Sequence, residues 1–260
     1  MTTTVPHPSP FGALLREWRR LRGVSQLELA GLVASTPRHI SFIETGRSRP
    51  RRPLVLRLSR ALTLPQRESN ELLIAAGLPP EFTEDDLGAD DLGPYRQAID
   101  ALLTSHTPFP GCVVDRWGQI LLANEPFERI NPGMAELTPE ELLEATFGSD
   151  EGRARVLNWD EIAWAYVDRM STVLTRTPDS RIEALVVRVR EHLGGRERPP
   201  ASTSPHLSAV FLGPDGQTLS TFTTFLRFDY AHDVSLSELA VELIFPADET
   251  TRTWFETTPD

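Results

Sequence analysis

From Phe11 to Gly77 apolar side chains recur at helical spacing: Phe11, Leu14, Leu15 and Trp18; Leu27, Leu29, Leu32 and Val33; Leu54, Leu58 and Leu62. Tight turns carrying Gly23, Gly46 and Pro50 separate these groups, which predicts a run of short amphipathic helices. Further along the pattern changes. A helix is expected over about 93–105, then two strands, 111–114 and 119–123, turned by Asp115-Arg116-Trp117-Gly118. Helical patterns open near Asn124, Thr138, Asn158 and Ser180, all good N-cap types, and Thr138-Pro139-Glu140-Glu141 reads as a capping box with proline at the first helical position. After a Gly/Pro/Ser-rich loop over 194–204, three more strands are expected: 207–212, 219–228 and 239–245, the first two joined by Gly213-Pro214-Asp215-Gly216. In the last of them Leu239, Val241, Leu243 and Phe245 alternate with Ala240, Glu242 and Ile244, so one face should meet a core. This order predicts an antiparallel sheet with helices on one side, and no internal repeat interrupts it.

Between the two patterns lies Pro79 to Asp91, with two prolines, six acids and little apolar content. It reads as an acidic linker over 79–92, dividing a domain at 9–78 from one at 93–257. A length of 260 residues suits two such domains, and 40% hydrophobic with 24% charged residues is ordinary for a globular chain. No apolar run reaches the roughly 20 residues that span a bilayer. Met1 to Pro10 shows no export signal, and the single cysteine, Cys112, allows neither an intramolecular disulfide nor a cysteine zinc site. Cytoplasmic location is expected. The net charge of -11 conceals an asymmetry: residues 1–80 hold 12 Arg and five acids (+7), residues 81–260 hold 14 Arg and 32 acids (-18). Whole-chain acidity argues against a nucleic-acid partner, but the first third alone argues for one.

The informative stretch is Arg19 to Arg52. Ser25-Gln26-Leu27-Glu28-Leu29-Ala30 opens one helix, Ala34-Ser35-Thr36-Pro37 turns, and a second helix runs from Thr36 to Thr45 and stops at Gly46. Ile40 and Ile43 face inward, whereas Arg38, Ser41, Phe42 and Thr45 fall at i, i+3, i+4 and i+7 on a face the core does not claim. Two short helices with a small residue, Ala30, at their crossing meet the requirements of a helix-turn-helix, whose second helix enters the major groove. Arg47, Arg49, Arg51 and Arg52 follow it, placed for phosphate contact. Arg19, Gly23-Val24-Ser25-Gln26, Leu29-Ala30, Ile40, Ile43-Glu44-Thr45-Gly46 and Arg47 resemble the XRE family of helix-turn-helix domains, that of the phage lambda and Cro repressors. The resemblance implies an all-α, five-helix domain in which Gln26 meets phosphate and Thr36, Pro37, Arg38 and Phe42 meet bases, with Ser41 on the same face. It also implies a structural ion pair between Arg19 and Glu44. Pro37 and Phe42 stand where the family more often has polar residues, which leaves Arg38 as the candidate bidentate partner of guanine and Phe42 as a contact to a thymine methyl.

Residues 93–257 resemble the MmyB-like regulators, whose C-terminal half is a PAS-like ligand-binding domain. The shared motifs are Phe109-Pro110-Gly111 running into Val113-Val114-Asp115-Arg116, Leu122-Ala123-Asn124, Asn158-Trp159-Asp160-Glu161, the stretch from Leu219 to Phe225, and Val241 to Glu249. The resemblance implies an α+β fold, a homodimer and an apolar cavity for a fatty-acid-like ligand. Phe127, Trp159, Trp164, Tyr166, Phe211, Phe222, Phe225, Leu243 and Phe245 are candidate walls, although any core needs such residues. Arg169, Arg188 and the Asn158 amide are candidate head-group contacts.

No catalytic machinery is legible. Asp85-Asp86 and Asp90-Asp91 sit in the linker, where burial cannot tune them, and the six histidines, His7, His39, His106, His192, His206 and His232, show no metal-ligand spacing. No nucleophile elbow, phosphate loop or dinucleotide fingerprint occurs. The sequence therefore predicts a dimeric regulator of double-stranded DNA with no catalytic residue, no cofactor, no metal and no membrane association. The rival reading makes the acidic half a ligand-free module for dimerisation or for contact with RNA polymerase or another protein.

Overall fold

The computed structural model describes residues 9–85, 92–200, 207–228 and 231–257, which form two compact units. The first takes residues 9–85 together with 231–237, and the second takes the remainder.

Five helices build the first unit: α1 (Pro10–Leu21), α2 (Gln26–Leu32), α3 (Pro37–Glu44), α4 (Arg52–Ala61) and α5 (Gln66–Ala75). Several of their ends are set by local chemistry. Ser9 accepts a hydrogen bond from the Gly12 amide at 3.1 Å ahead of Pro10. Ser25 and Glu28 cap α2 reciprocally at 3.1 and 2.7 Å. Thr36 accepts from the His39 amide at 3.2 Å, with Pro37 opening α3. Leu15, Leu29, Val33, Ile40, Ile43, Val55, Leu58 and Leu72 are fully buried and form the core. The inward stripe of α2 is narrower than its periodicity suggests: Leu29 and Val33 are inside, but Leu27 and Leu32 are 70% and 62% exposed. Ala34, in the turn to α3, has φ +51, a left-handed conformation that favours glycine.

The tightest packing is between α1 and the end of α3. A Cβ on Gly12 would lie 2.5 Å from the Glu44 carbonyl oxygen and 2.7 Å from that of Ile43, so only glycine lets the two backbones approach. Beyond α5, residues 79–85 are tied to this unit, which corrects the expectation of a solvated chain there. Asn70 accepts from the amides of Glu81 and Phe82 at 2.9 and 3.1 Å and donates to the Phe82 carbonyl at 2.8 Å. Arg52 donates to the Pro79 carbonyl and pairs with Glu81. Asp233 accepts from the Thr83 hydroxyl at 3.0 Å and the Asp85 amide at 2.9 Å. The rest of the expected linker, 86–91, lies outside the described residues, as does most of the loop after 200.

The second unit begins with α6 (Gly93–His106) and contains a five-stranded sheet: β1 (Gly111–Val114), β2 (Ile120–Ala123), β3 (Ala209–Leu212), β4 (Thr218–Arg227) and β5 (Ala240–Pro246). The order is β2-β1-β5-β4-β3, antiparallel throughout. Between β2 and β3 run α7 (Glu125–Ile130), α8 (Pro139–Leu143), a π turn over Glu144–Gly148, α9 (Asp150–Arg155), α10 (Trp159–Arg176) and α11 (Ser180–Leu193). The short α12 (Val234–Glu238) precedes β5 in the chain, and α13 (Glu249–Thr257) follows it.

Register decides which residues share a sheet face. Cys112, Glu242 and Phe225 stand side by side on β1, β5 and β4, and Gly111, Leu243 and Thr224 form the adjoining row on the opposite face. Phe127 of α7 packs with Cys112 and Ile120 on the first face. α6 takes the second: the Cβ direction of Gly111 meets Leu103, and the His106 ring stands 4.8 Å from that of Phe245. The sheet therefore carries helices on both faces, not on one. The alternation in β5 had suggested one buried face, but both are covered. α10 and α11 form a further layer through Ala163, Val167, Ile182, Val186 and Val189.

Cap positions differ in two places. Asp179, not Ser180, caps α11, accepting from the amides of Arg181 and Ile182 at 2.9 and 3.1 Å. Asn158 makes no cap bond: it donates to the Ser208 carbonyl at 2.8 Å and accepts from the Val210 amide at 2.9 Å, joining the start of α10 to β3. The helix after β5 escapes the periodicity because three β-branched threonines lower its propensity in the first five residues. Asp248 starts it by accepting from the Thr251 amide at 2.7 Å, and Phe255 holds it in the core.

The Gly12 contact is testable. Gly12→Ala is expected to destabilise the protein by about 1–3 kcal/mol in urea unfolding, because backbone must move. Gly31→Ala, where a Cβ would meet nothing within 4 Å, should be neutral or stabilising by up to about 1 kcal/mol. Equal effects at the two glycines would reject the close approach.

Candidate nucleic-acid interface and ligand-binding domain

The outer face of α3 is available. Ile40 and Ile43 are buried, Arg38 is exposed, and Ser41, Phe42 and Thr45 are half-buried. Arg38 and Arg47 flank the Phe42 ring, their guanidinium carbons 5.2 and 5.8 Å from its centroid. Arg47 reaches that position because Gly46, at φ +75, reverses the chain and lets the Arg47 and Ser48 amides donate to the Phe42 carbonyl at 2.8 and 3.1 Å. The Thr45 hydroxyl donates to the Ser41 carbonyl at 2.8 Å. Thr36 and Pro37 are exposed at the start of the helix, the Thr36 oxygen engaged as the cap.

Sequence reasoning placed four arginines beside this helix, and the structure separates them. Arg47, Arg49 and Arg51 are exposed and have no carboxylate partner among the described residues. Arg52 is engaged with the Pro79 carbonyl and Glu81, so it is not a free phosphate donor. Gln26 is likewise committed, its amide donating to Glu44 Oε2 at 2.8 Å. His39, on α3, bonds the Ser35 hydroxyl at 3.0 Å.

Glu44 has no exposed surface. Arg19 grips it with two nitrogens, Nε to Oε1 at 2.6 Å and Nη2 to Oε2 at 3.2 Å, while its third nitrogen donates to the Val24 carbonyl at 2.8 Å. Arg16 adds a bond of 3.3 Å. Gly12, Arg16 and Arg19 lie at i, i+4 and i+7, so the stripe of α1 that permits the close approach also delivers both cations to the end of α3. Burial alone would raise the Glu44 carboxyl, but the donors Arg19, Gln26 and Arg16 outweigh it and hold the group below its ordinary 4.5.

The candidate pocket residues of the second unit do not gather in one place. Phe127 and Phe225 lie on the sheet face of Cys112, with Phe225 37% exposed. Phe222 and Phe245 stack at 5.5 Å on the other face, with Leu243. Trp159, Trp164 and Tyr166 belong to the helical layer with Phe147, and Phe211 packs with Ile130, Leu219 and Phe255. Of the head-group candidates, Arg188 pairs with Glu144 and Asn158 is taken by β3. Only Arg169 reaches the Cys112 face, its guanidinium 4.8 Å from the Phe225 ring. Glu242 stands in the middle of that face, although in the sequence it reads only as the polar phase of an alternating strand. Burial, with Glu242 and Glu128 nearby, pushes the Cys112 thiol up, so it remains a neutral core residue. No metal-binding cluster occurs among the described residues, and none of their helices is long and apolar enough to cross a membrane.

A five-helix head with a free helix-turn-helix face, joined to an α+β domain with helices on both sheet faces, is the architecture of a DNA-binding transcription regulator with a ligand-binding domain. Residues 10–72 match a family model described as a helix-turn-helix domain, and residues 95–257 match one described as the MmyB-like transcription regulator ligand binding domain. The chain belongs to the MmyB-like family, and neither description is that of an enzyme. No curated protein matches it. Among solved structures it is similar to one described as the structure of an RNA-binding light-oxygen-voltage receptor, 13% identical over 95% of this chain and 62% of that chain, with a TM-score of 0.26. A likeness at that score carries no argument.

Glu44 gives a prediction with a pH signature. Its carboxylate is stabilised in the folded state, so its contribution is complete above the ordinary value of 4.5 and is lost as the pH falls from there through the lowered folded value. Glu44→Ala should cost about 3–5 kcal/mol at neutral pH, since it leaves the half-buried Arg19 without its partner. Glu44→Gln should unfold at a midpoint less sensitive to acid than the wild type. Parallel pH profiles for Glu44→Gln and wild type would show that another group carries the acid response.

Proposed function

We propose that this protein is a cytoplasmic, sequence-specific transcription regulator that binds duplex DNA as a homodimer and answers to a small apolar, acyl-chain-like ligand in its C-terminal domain. The observation that carries the DNA reading is the outer face of α3: a core-free surface with Arg38 and Arg47 held on Phe42, beside Arg49 and Arg51, which no carboxylate among the described residues neutralises. In an acidic chain such a cluster is costly to keep together unless it has an anionic partner. Arg38, at the start of the helix, is placed to read a base edge, and Arg47, Arg49 and Arg51 to hold phosphates. The stack on Phe42 limits the rotamers of Arg38 before DNA arrives, which lowers the ordering cost of a bidentate contact to guanine.

Homodimerisation would present two recognition helices to half-sites about one helical turn apart, or a multiple of it. A ligand acts on such a dimer only by binding more tightly to one arrangement of the two heads than to the other. An apolar ligand suffices energetically: a ten-carbon chain gains roughly 8 kcal/mol on burial before association costs.

Selection from randomised duplexes, followed by titration at several salt concentrations, tests the assignment. Arg38→Ala should lose about 1–3 kcal/mol on the selected operator and relax preference at one base position. Arg49→Ala should weaken all sequences alike and reduce the salt slope by about 0.9. Arg52→Ala should leave that slope unaltered, its side chain being engaged within the protein. Unchanged base preference in Arg38→Ala removes that residue from base reading.

A further inference from the structure

The loop that follows α3 alternates in burial. Arg47, Arg49 and Arg51 are exposed, and between them Ser48 and Pro50 turn inward, each half-buried. The loop backbone is fastened to α3 at the Phe42 carbonyl, which accepts from the Arg47 and Ser48 amides. Two amides on one carbonyl leave the loop able to pivot about it. His39 supplies a second point of attachment, one turn earlier on the helix. Its Nε2 lies 3.5 Å from the Ser48 hydroxyl oxygen, and its Nδ1 lies 3.0 Å from that of Ser35, in the turn before α3. A neutral imidazole has one donor and one acceptor nitrogen, and a serine hydroxyl serves as either, so both tautomers satisfy the pair. The half-buried ring therefore joins the entry of α3 to its exit.

We propose that His39 is a positioning residue for DNA binding: through Ser48 it sets where Arg49 meets a phosphate. The proposal rests on the reading of this loop as a phosphate contact and adds the residue that orients it. Arg49 is the arginine that gains most. Ser48 precedes it, Pro50 restricts its backbone to extended angles, and the Arg51 carbonyl accepts from the Leu54 amide at 2.9 Å to open α4. Once Ser48 is anchored, Arg49 sits between two fixed points, and only its side-chain rotamers remain to be searched. Arg47 has its own hold on the Phe42 ring and depends less on Ser48. His39 need not touch DNA in this arrangement. Without it the loop has to be ordered at the moment the phosphate binds, which lowers affinity.

Anisotropy titrations of the full chain with a labelled mixed-sequence duplex, at several salt concentrations, test this role, with urea unfolding of each variant alongside. His39→Ala and Ser48→Ala should each bind about tenfold more weakly at low salt, the worth of one hydrogen bond to a charged group. Each should lower the salt slope by about 0.9, the equivalent of one phosphate. The double variant should lose no more than either single one, because both changes break the same link. Two conservative replacements separate the ring nitrogens. His39→Gln carries its amide as many bonds from Cα as Nε2 and should keep the wild-type slope and affinity. His39→Asn, whose amide matches Nδ1, reaches only Ser35 and should behave as His39→Ala. Ser48→Ala removes no ionisable group, so its lowered slope is not a charge lost from the imidazole. An unchanged slope in Ser48→Ala, additive losses in the double variant, or a His39→Asn variant as tight as His39→Gln overturns the positioning role, while wild-type binding upholds the DNA reading. If wild type binds no duplex at low salt, both fall. Should His39→Ala fail to fold, Ser48→Ala and the comparison of His39→Gln with His39→Asn decide.

Discussion

Everything the first unit can do depends on one buried carboxylate. Glu44 ends the helix whose outer face carries Arg38 and Phe42, and it is held by Arg19 and Arg16 from α1 and by Gln26 from α2. Three helices therefore meet at a single pair of oxygens. A desolvated charge tolerates only a narrow geometry, because each donor that moves away leaves a cost of several kcal/mol unmatched. The close contact at Gly12 works in the same direction, since it brings α1 near enough for both arginines to reach. The orientation of α3, and with it the direction in which Arg38 points, is fixed from inside the domain. The loop after α3 is fixed as well, through its bonds to the Phe42 carbonyl.

In the second unit the organising constraint is the register of the sheet. Its central strand, β5, faces helices on both sides, so neighbouring residues have different fates. Phe245 stacks on Phe222 and meets His106 of α6, whereas Glu242 and Ile244 look toward the helices that follow β2. The aromatic residues divide among a helical layer, two sheet faces and the cluster around Phe255.

The helix-turn-helix was legible because its signals are local. Caps, a proline at the first helical position, a terminating glycine and two inward isoleucines each act within one or two turns, and their spacing can be read without knowing the fold. The same holds for the hairpin at Asp115 to Gly118, for the capping box at Thr138 and for the strands near their observed limits. Local reading failed where a distant partner decides. Arg52 and Gln26 look like free donors until Glu81 and Glu44 arrive from elsewhere in the chain. Asn158 looks like a cap until β3 claims its amide. Residues 79–85 look like solvated linker until Asn70, Arg52 and Asp233 bind them.

The sequence by itself determined the class of protein, the type of most elements and the face of α3 left over once the isoleucines are buried, because periodicity and capping are short-range physics. Tertiary structure alone decided which arginines remain free and which sheet face each aromatic serves. Those outcomes depend on which groups, far apart in the chain, come within 3 or 4 Å of one another. Hydrogen bonds and desolvation act only over such distances, and the order of residues does not encode them until the chain has folded.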